Sequence, residues 1–201
     1  CSSDPLFNKG MQFLKESYFD RIKEIETNCY DGSDNEYARV FEMQMAYMFL
    51  WSIIDRHNTL KYKLGSSKLS LKNDELADDK YFIDSLKLLK DHFLTKPDEH
   101  VYDSSKGRYC KFVIEDFKRA PELYAKDILN FYYQIRNNAV HRGKISSVCN
   151  YRDFNLLKNA FLELYAVMAN VISKGIKQGE EDLSAINVLK DPSKSNKGEE
   201  K

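Results

Sequence analysis

Residues 35–60 read NEYARVFEMQMAYMFLWSIIDRHNTL, and their apolar side chains lie almost all around a helix drawn through the segment. A helix that is apolar on every side is typical of the buried centre of a helical bundle. Its longest apolar run, residues 43–54, is shorter than the roughly 20 residues that cross a bilayer. The segment therefore predicts a central core helix, with no membrane span and no targeting peptide visible around it.

Apolar residues at helical spacing recur along the rest of the chain, whereas strand-like alternation is rare. The stripes are Met11, Leu14, Tyr18, Ile22 and Ile25; Phe82, Leu86, Leu89 and Phe93; Tyr124, Ile128, Phe131, Tyr132, Ile135 and Ala139; and Phe154, Leu157, Phe161, Leu164, Met168 and Val171. Polar residues 61–78 and 95–109 predict loops, and residues 110–118 suit a short helix or an extended piece. The sum predicts an all-α bundle of about five helices.

Several polar residues indicate where these helices begin. Asp78 and Asp79 suit a helix start, and Pro121 and Glu122 suit the first turn of a later helix. The last strong helix is predicted over residues 151–173. We expect one helical domain over residues 1–176, followed by a polar and mostly mobile tail over residues 177–201.

Composition limits the class of protein. The 201 residues are 42% hydrophobic, enough for a substantial core. Lys and Arg number 31, as do Asp and Glu, so the net charge is zero. A long electrostatic footprint for duplex DNA is therefore not expected, and any contact with nucleic acid must come from a local patch.

The cysteines indicate a cytoplasmic protein without a metal. Cys1, Cys29, Cys110 and Cys149 form no CxxC pair, and no His lies at zinc-ligand spacing from them. Free thiols in a reducing cytosol are the preferred interpretation, and we expect no metal and no cofactor. The chain begins with Cys1 rather than Met, which indicates a fragment or a processed product. The alternative is that Cys1 is the lipidated residue of an exported lipoprotein, but no signal segment is present to support it.

A basic stretch, residues 132–144 with the sequence YYQIRNNAVHRGK, closes the third stripe, and no Asp or Glu occurs between Ile128 and Arg152. Arg136, Arg142 and Lys144 lie in this acid-free span. Cations near a helix C-terminus stabilise it by about 0.3–1 kcal/mol, which accounts for Arg142 and Lys144. Arg136 lies more than a turn earlier and fits that explanation less well.

Helix geometry places the polar groups of this stretch. At 3.6 residues per turn, positions 137 and 141 lie about 40° apart and positions 136 and 141 about 140° apart. Asn137 can therefore neighbour His141, while Arg136 lies on a flanking face. One helix alone makes a poor pocket, but two copies meeting across a two-fold axis would bring Arg136 and His141 of each copy together.

These side chains suit cleavage of RNA. An imidazole can take or give a proton near neutral pH, and the 2′-OH of RNA is a nucleophile beside its own phosphate. A guanidinium can hold the phosphoryl oxygens. His141 is thus the candidate acid–base, Arg136 the phosphate ligand and Asn137 a supporting polar residue. Arg142, Lys144 and Tyr133 are candidate substrate-binding residues.

The stretch resembles the Rx4–6H signature of the HEPN superfamily, which Arg136, Asn137 and His141 match position by position. Residues 46–62, AYMFLWSIIDRHNTLKY, look more loosely like the second HEPN helix. The resemblance implies a HEPN-like bundle that dimerises to build its site and cleaves single-stranded RNA without a metal. It also implies membership of toxin–antitoxin, antiviral-defence or RNA-processing systems, with a separate antitoxin or regulator as a possible partner.

Other interpretations stay open. One alternative is a domain that binds RNA, nucleotide or protein without catalysis, and another is a structural helical domain whose basic turn caps a helix. Tyr132 is expected in the core, and Tyr133 is the better candidate for stacking on a base. His57 is expected as a polar residue at a helix end, and Asp55 or Arg56 could line the same cleft as the motif.

Overall fold

Helices make up most of the structure, a computed structural model. The described residues are 5–25, 34–65, 69–95, 100–103, 106–111, 114–141 and 151–173. Their elements are α1 (Pro5–Leu14), a π-helical segment (Lys15–Phe19), α2 (Asp20–Glu24), α3 (Asp34–Tyr62), α4 (Leu69–Ala77), α5 (Lys80–Leu89), β1 (His100–Asp103), β2 (Arg108–Lys111), α6 (Ile114–Arg119), α7 (Pro121–His141) and α8 (Tyr151–Ser173). The prediction of an all-α helical bundle is confirmed.

The most enclosed helix is α8 rather than α3. Every residue of α8 from Leu156 to Ala169 is buried except Asn159. The helix packs against α3 and α5, which place apolar side chains around it. By contrast, α3 has an outer side on which Phe41 and Met45 are exposed. The prediction that residues 35–60 form a core helix holds for one side of α3 only.

The predicted stripes account for the core. Every residue in them is buried except Tyr18 and Tyr124, which pack half-buried against it. Two predicted helix starts are also confirmed. Asp79 caps α5 by accepting a hydrogen bond from the Tyr81 backbone N–H at 2.8 Å, and α7 begins at Pro121. The start of α8 agrees with the prediction as well.

The predicted loop over residues 61–78 is wrong in its second half, where α4 forms. Lys72 of α4 is buried, and its Nζ donates to Asp55 Oδ1 at 2.9 Å and to Thr59 Oγ1 at 2.7 Å. Leu76 and Ala77 are buried on the same helix. These tertiary contacts stabilise a helix whose own sequence is largely polar.

The predicted loop over residues 95–109 contains a β-hairpin. β1 and β2 pair antiparallel, with Val101 opposite Cys110, and Gly107 takes a positive φ of 62° in the turn between them. Asn138 on α7 donates its amide to the Tyr102 carbonyl at 3.3 Å, which fixes the hairpin to that helix. Residues 110–118 divide between the end of β2 and the short helix α6.

A buried carboxylate joins three parts of the fold. Glu163 on α8 accepts hydrogen bonds from the backbone N–H groups of Leu94 and Thr95 at 2.6 and 2.8 Å, and from the hydroxyls of Thr95 and Tyr132 at 2.7 Å each. Burial raises the pKa of Glu163, while these hydrogen bonds oppose the rise. The carboxylate fixes the segment after α5 against α7 and α8.

Within the described ranges, no helix is both long and apolar enough to cross a bilayer. The predicted tail, residues 177–201, lies outside the described residues, as do Arg142 and Lys144.

Candidate functional site

The motif lies on the last turns of α7. Arg136 is half-buried, and its Nη1 donates to Asn137 Oδ1 at 3.0 Å. Its guanidinium carbon lies 6.0 Å from the centroid of the Tyr133 ring, at the outer limit of a cation–π contact. The two residues that contact Arg136 here are both neutral.

Arg136 carries an unopposed charge within the described part of the chain. No carboxylate of the described residues forms an ion pair with Arg136. The buried Arg136 Nε has no hydrogen-bond acceptor among the described residues either. A buried guanidinium N–H without an acceptor is unfavourable. An anion that reached this side chain would supply both the acceptor and the opposite charge.

The Asn137 side chain forms hydrogen bonds with two other residues of α7. Its Oδ1 accepts from Arg136, and its Nδ2 donates to Gln134 Oε1 at 3.4 Å. The second bond is long and therefore weak. Arg136 thus orients the Asn137 amide. The acceptor of the Asn137 N–H group is Gln134 Oε1, and a ligand acceptor could take its place.

His141 is the last residue of α7, and its side chain lies outside the described residues. Its position around the helix axis follows from helix geometry. Positions 130, 134, 137 and 141 fall within an arc of about 60° around the helix axis, while position 136 lies about 100° from position 137. Asn137 and His141 share one side of α7, and Arg136 emerges beside it.

That side of α7 borders a cleft of about 470 Å³, enclosed also by α4 and the β-hairpin. We call it the amide cleft because four amide side chains line it: Asn73, Asn130, Gln134 and Asn137. Its volume falls in the roughly 300–1,000 Å³ range of small-molecule sites. The motif therefore adjoins a cavity, of which Asn137 forms part of the wall.

Charge in the amide cleft does not favour a phosphate. Three carboxylates line it, from Asp74, Asp103 and Asp127, against the two ammonium groups of Lys106 and Lys126. Lys126 Nζ pairs with Asp74 Oδ1 at 2.9 Å, and Lys106 Nζ lies 3.6 Å from Asp103 Oδ2. The cationic groups are thus paired and the cleft is slightly acidic, unlike the acid-free end of α7.

The two adjacent tyrosines differ as expected in burial. Tyr132 is buried, and its hydroxyl donates to Glu163, which confirms that it belongs to the core. Tyr133 is half-buried, lines the amide cleft and packs edge-on against Trp51, with ring centroids 5.5 Å apart. Stacking of Tyr133 on a base stays a prediction.

Three of the four cleft amides were not singled out from the sequence. Asn130, Gln134 and Asn137 follow helical spacing on α7, and this amide stripe is a signal that the sequence does contain. Asn73 carries no such signal, because it lies in the polar segment that was predicted to be a loop. Its importance follows only from the packing of α4 against α7.

His57 does not belong to this site. It lies in α3, which continues to Tyr62, so the expectation of a residue at the helix end is wrong. Its ring is buried, and Nδ1 donates to Asn58 Oδ1 at 3.0 Å. Burial lowers the pKa of His57. Neither Asp55 nor Arg56 is among the residues that line the amide cleft.

Metal-ligand and thiol chemistry depend on how the His, Cys, Asp and Glu side chains are placed. Within the described ranges, no three His, Cys, Asp or Glu side chains come together in a metal-binding group. Cys110 is a free, half-buried thiol, and Cys1, Cys29 and Cys149 lie outside those ranges. Burial raises the pKa of the Cys110 thiol, so it stays protonated near neutral pH.

Comparisons with protein-family models, with curated proteins and with solved structures give no match to this chain.

Proposed function

We propose that this protein is a metal-independent endoribonuclease of the HEPN type that cleaves single-stranded RNA. The observation that carries the proposal is Arg136, a half-buried guanidinium that has no carboxylate partner among the described residues. It lies five residues before His141, on a helix end whose sequence contains no acid. The Rx4–6H resemblance supports the same assignment.

In this mechanism the RNA supplies its own nucleophile. His141 takes the proton of a 2′-OH, the 2′-oxygen attacks the adjacent phosphorus, and the bond to the 5′-oxygen of the next nucleotide breaks. The leaving 5′-oxygen takes up a proton from water, and the protonated His141 returns its proton to solvent. Arg136 binds the phosphoryl oxygens and stabilises the charge that develops on them. Asn137, held by Arg136, supports the phosphate or the imidazole.

The proposed site is shared between two copies of the chain. Positions 136 and 141 lie about 140° apart around α7, so one helix does not direct both groups at a single phosphate. Antiparallel approach of two α7 ends across a two-fold axis would set the Arg136 of one protomer opposite the His141 of its partner. Arg142 and Lys144, which follow His141 in sequence, would then bind flanking phosphates.

Substitution of the motif tests the proposal. In buffer containing EDTA, wild-type protein should cleave a mixed single-stranded RNA, and Arg136→Ala and His141→Ala should lower the rate by about 10²–10⁴-fold. Matched controls are Arg119→Ala, an exposed arginine, and His92→Ala, a half-buried histidine away from the motif. Circular dichroism should show unchanged helix content in all variants. Full activity in either motif variant, or loss of wild-type activity in EDTA, would refute the proposal.

One observation favours a second candidate function, a binding module without catalysis. The amide cleft is slightly acidic and is lined by hydrogen-bonding groups that suit a neutral ligand rather than a phosphodiester. The same assay separates the two candidates, because a binding module would retain RNA or nucleoside on a filter and cleave nothing.

A further inference from the structure

We propose that the amide cleft holds one unpaired base of the RNA, and that it prefers a base with an exocyclic amino group. This inference rests on the proposed function and names the part of the substrate that the site recognises. A base is neutral and planar and carries hydrogen-bond donors and acceptors on its edge. The cleft offers hydrogen-bonding side chains that can pair with such an edge.

The acceptor that selects the amino group is on Asn73. This side chain is more than nine-tenths buried, at 8% exposure, and lines the cleft. Its Oδ1 is buried and has no hydrogen-bond donor among the described residues. A buried acceptor without a donor is unfavourable. A ligand N–H group that donates to Asn73 Oδ1 would therefore form a favourable hydrogen bond.

The opposite wall offers a donor as well as acceptors. Gln134 is buried at 7% exposure, and the one donor to its Oε1 among the described residues is Asn137 Nδ2, at a long 3.4 Å. One Asn or Gln amide can form two hydrogen bonds with the edge of a base, because it carries a donor beside an acceptor. Asn73 on α4 and Gln134 on α7 thus present amide groups from two sides of the cleft.

The charges of the amide cleft and of the end of α7 indicate where the base and the phosphate of a bound nucleotide would lie. The cleft carries one more carboxylate than ammonium groups, which disfavours a phosphate but tolerates an amino group. Asn137 itself lies in the acid-free part of α7, and His141 follows one turn later on the same side of the helix. A nucleotide whose base enters the cleft would therefore leave its phosphate at the end of α7, beside His141.

Matched nucleosides test the preference without any cleavage. Equilibrium dialysis of full-length protein should show adenosine binding more tightly than inosine, and cytidine more tightly than uridine, because each pair exchanges an amino group for an oxo group. A loss of about tenfold is expected from one hydrogen bond to a buried group. Equal affinity within both pairs, or no binding of any of them, would overturn the inference.

Asn73→Leu gives a readout that a structural role would not produce. It removes the unsatisfied acceptor, so thermal stability should be unchanged or higher while adenosine affinity falls about tenfold. The control is Leu123→Ser, an exposed residue of α7 that does not line the cleft. A destabilised Asn73→Leu protein that still binds adenosine normally would show that Asn73 serves only the fold.

The two proposals can fail separately. If wild-type protein cleaves RNA and Asn73→Leu leaves its base preference unchanged, the cleft inference is wrong and the ribonuclease proposal stands. If amino nucleosides bind selectively but no RNA is cleaved, the cleft inference stands and the ribonuclease proposal is wrong.

Discussion

The proposed site depends on one side chain, Arg136, more than on any other described residue. A fully buried guanidinium is ordinarily matched by a carboxylate. Arg136 is half-buried with a buried Nε, yet its described contacts are an amide oxygen and an aromatic ring. The sequence predicts this only partly, because an acid-free span in sequence does not exclude an acid from another helix. The packing of α7 shows that no described acid reaches Arg136.

His57 permits a prediction at the same scale. Burial lowers its pKa in the folded protein below the ordinary value of about 6.5. As the pH falls, the unfolded chain binds the proton first, so the contribution of His57 to stability is lost from about pH 7 down through the folded pKa. Urea unfolding at several pH values should show this loss in wild type and not in His57→Gln.

Two comparisons isolate the His57 effect. Glu163 acts in the opposite direction, because its raised pKa makes the folded state the stronger proton binder, so stability rises as the pH falls through the folded pKa of Glu163 toward its unfolded value. The readout is therefore the difference between wild type and His57→Gln, with His92→Gln as the matched control. A pH dependence that is identical in wild type and His57→Gln would contradict the assignment.

Among the elements, α7 connects the core to the site. Its buried side holds Tyr132, to whose backbone carbonyl the Tyr47 hydroxyl donates at 2.7 Å. Its other side carries the amide stripe and the motif. One helix therefore fixes the position of Asn137 relative to the core, and a shift of α7 would alter the core and the cleft together.

Glu163 should be a principal anchor between elements. Glu163→Ala leaves the Leu94 and Thr95 N–H groups without their acceptor, and we expect a loss of about 3–5 kcal/mol in the free energy of unfolding. Glu163→Gln keeps one acceptor oxygen and should cost less. Chemical denaturation measures both, with exposed Glu75→Ala as the control. A Glu163→Ala protein as stable as that control would contradict the anchoring role.

Apolar periodicity predicts the large helices because burial of apolar surface determines them. The stripes of α5, α7 and α8 follow from residue spacing alone, and the start of α7 follows from the preference of proline for the first helical turn. Helix α4 does not, since its stability depends on contacts of Lys72 with Asp55 and Thr59 in another helix. The β-hairpin is likewise too short for its alternation to stand out.

The candidate site is predictable to a similar degree. Arg136, Asn137 and His141 can be selected from sequence because they lie within two turns of one helix. The amide cleft cannot, because Asn73 and Gln134 are far apart in sequence and meet only when α4 packs against α7. Local patterns therefore identify the motif, whereas the tertiary fold determines what adjoins it.

At the scale of the whole molecule, the proposed site requires two chains. Mixing tests this directly, because Arg136→Ala protein retains His141 and His141→Ala protein retains Arg136. If one site takes Arg136 from one protomer and His141 from its partner, co-expression of the two inactive chains with different tags should restore cleavage in the purified heterodimer.

The alternative arrangement gives the opposite result. If each protomer uses its own Arg136 and His141, every heterodimer lacks an intact site and stays inactive. Analytical ultracentrifugation of wild type and of each variant is the control, since a monomeric wild-type protein with full cleavage activity would also exclude the shared site.

The most direct test of the central claim is cleavage of a synthetic single-stranded RNA by wild-type protein in EDTA, beside the same sequence with 2′-deoxyribose throughout. A nucleophilic 2′-OH and a histidine acid–base predict that the RNA is cut, that its new ends carry a 2′,3′-cyclic phosphate and a 5′-hydroxyl, and that the deoxy strand stays intact. Cleavage of both strands, products with 5′-phosphate ends, or no cleavage of the RNA would contradict the claim.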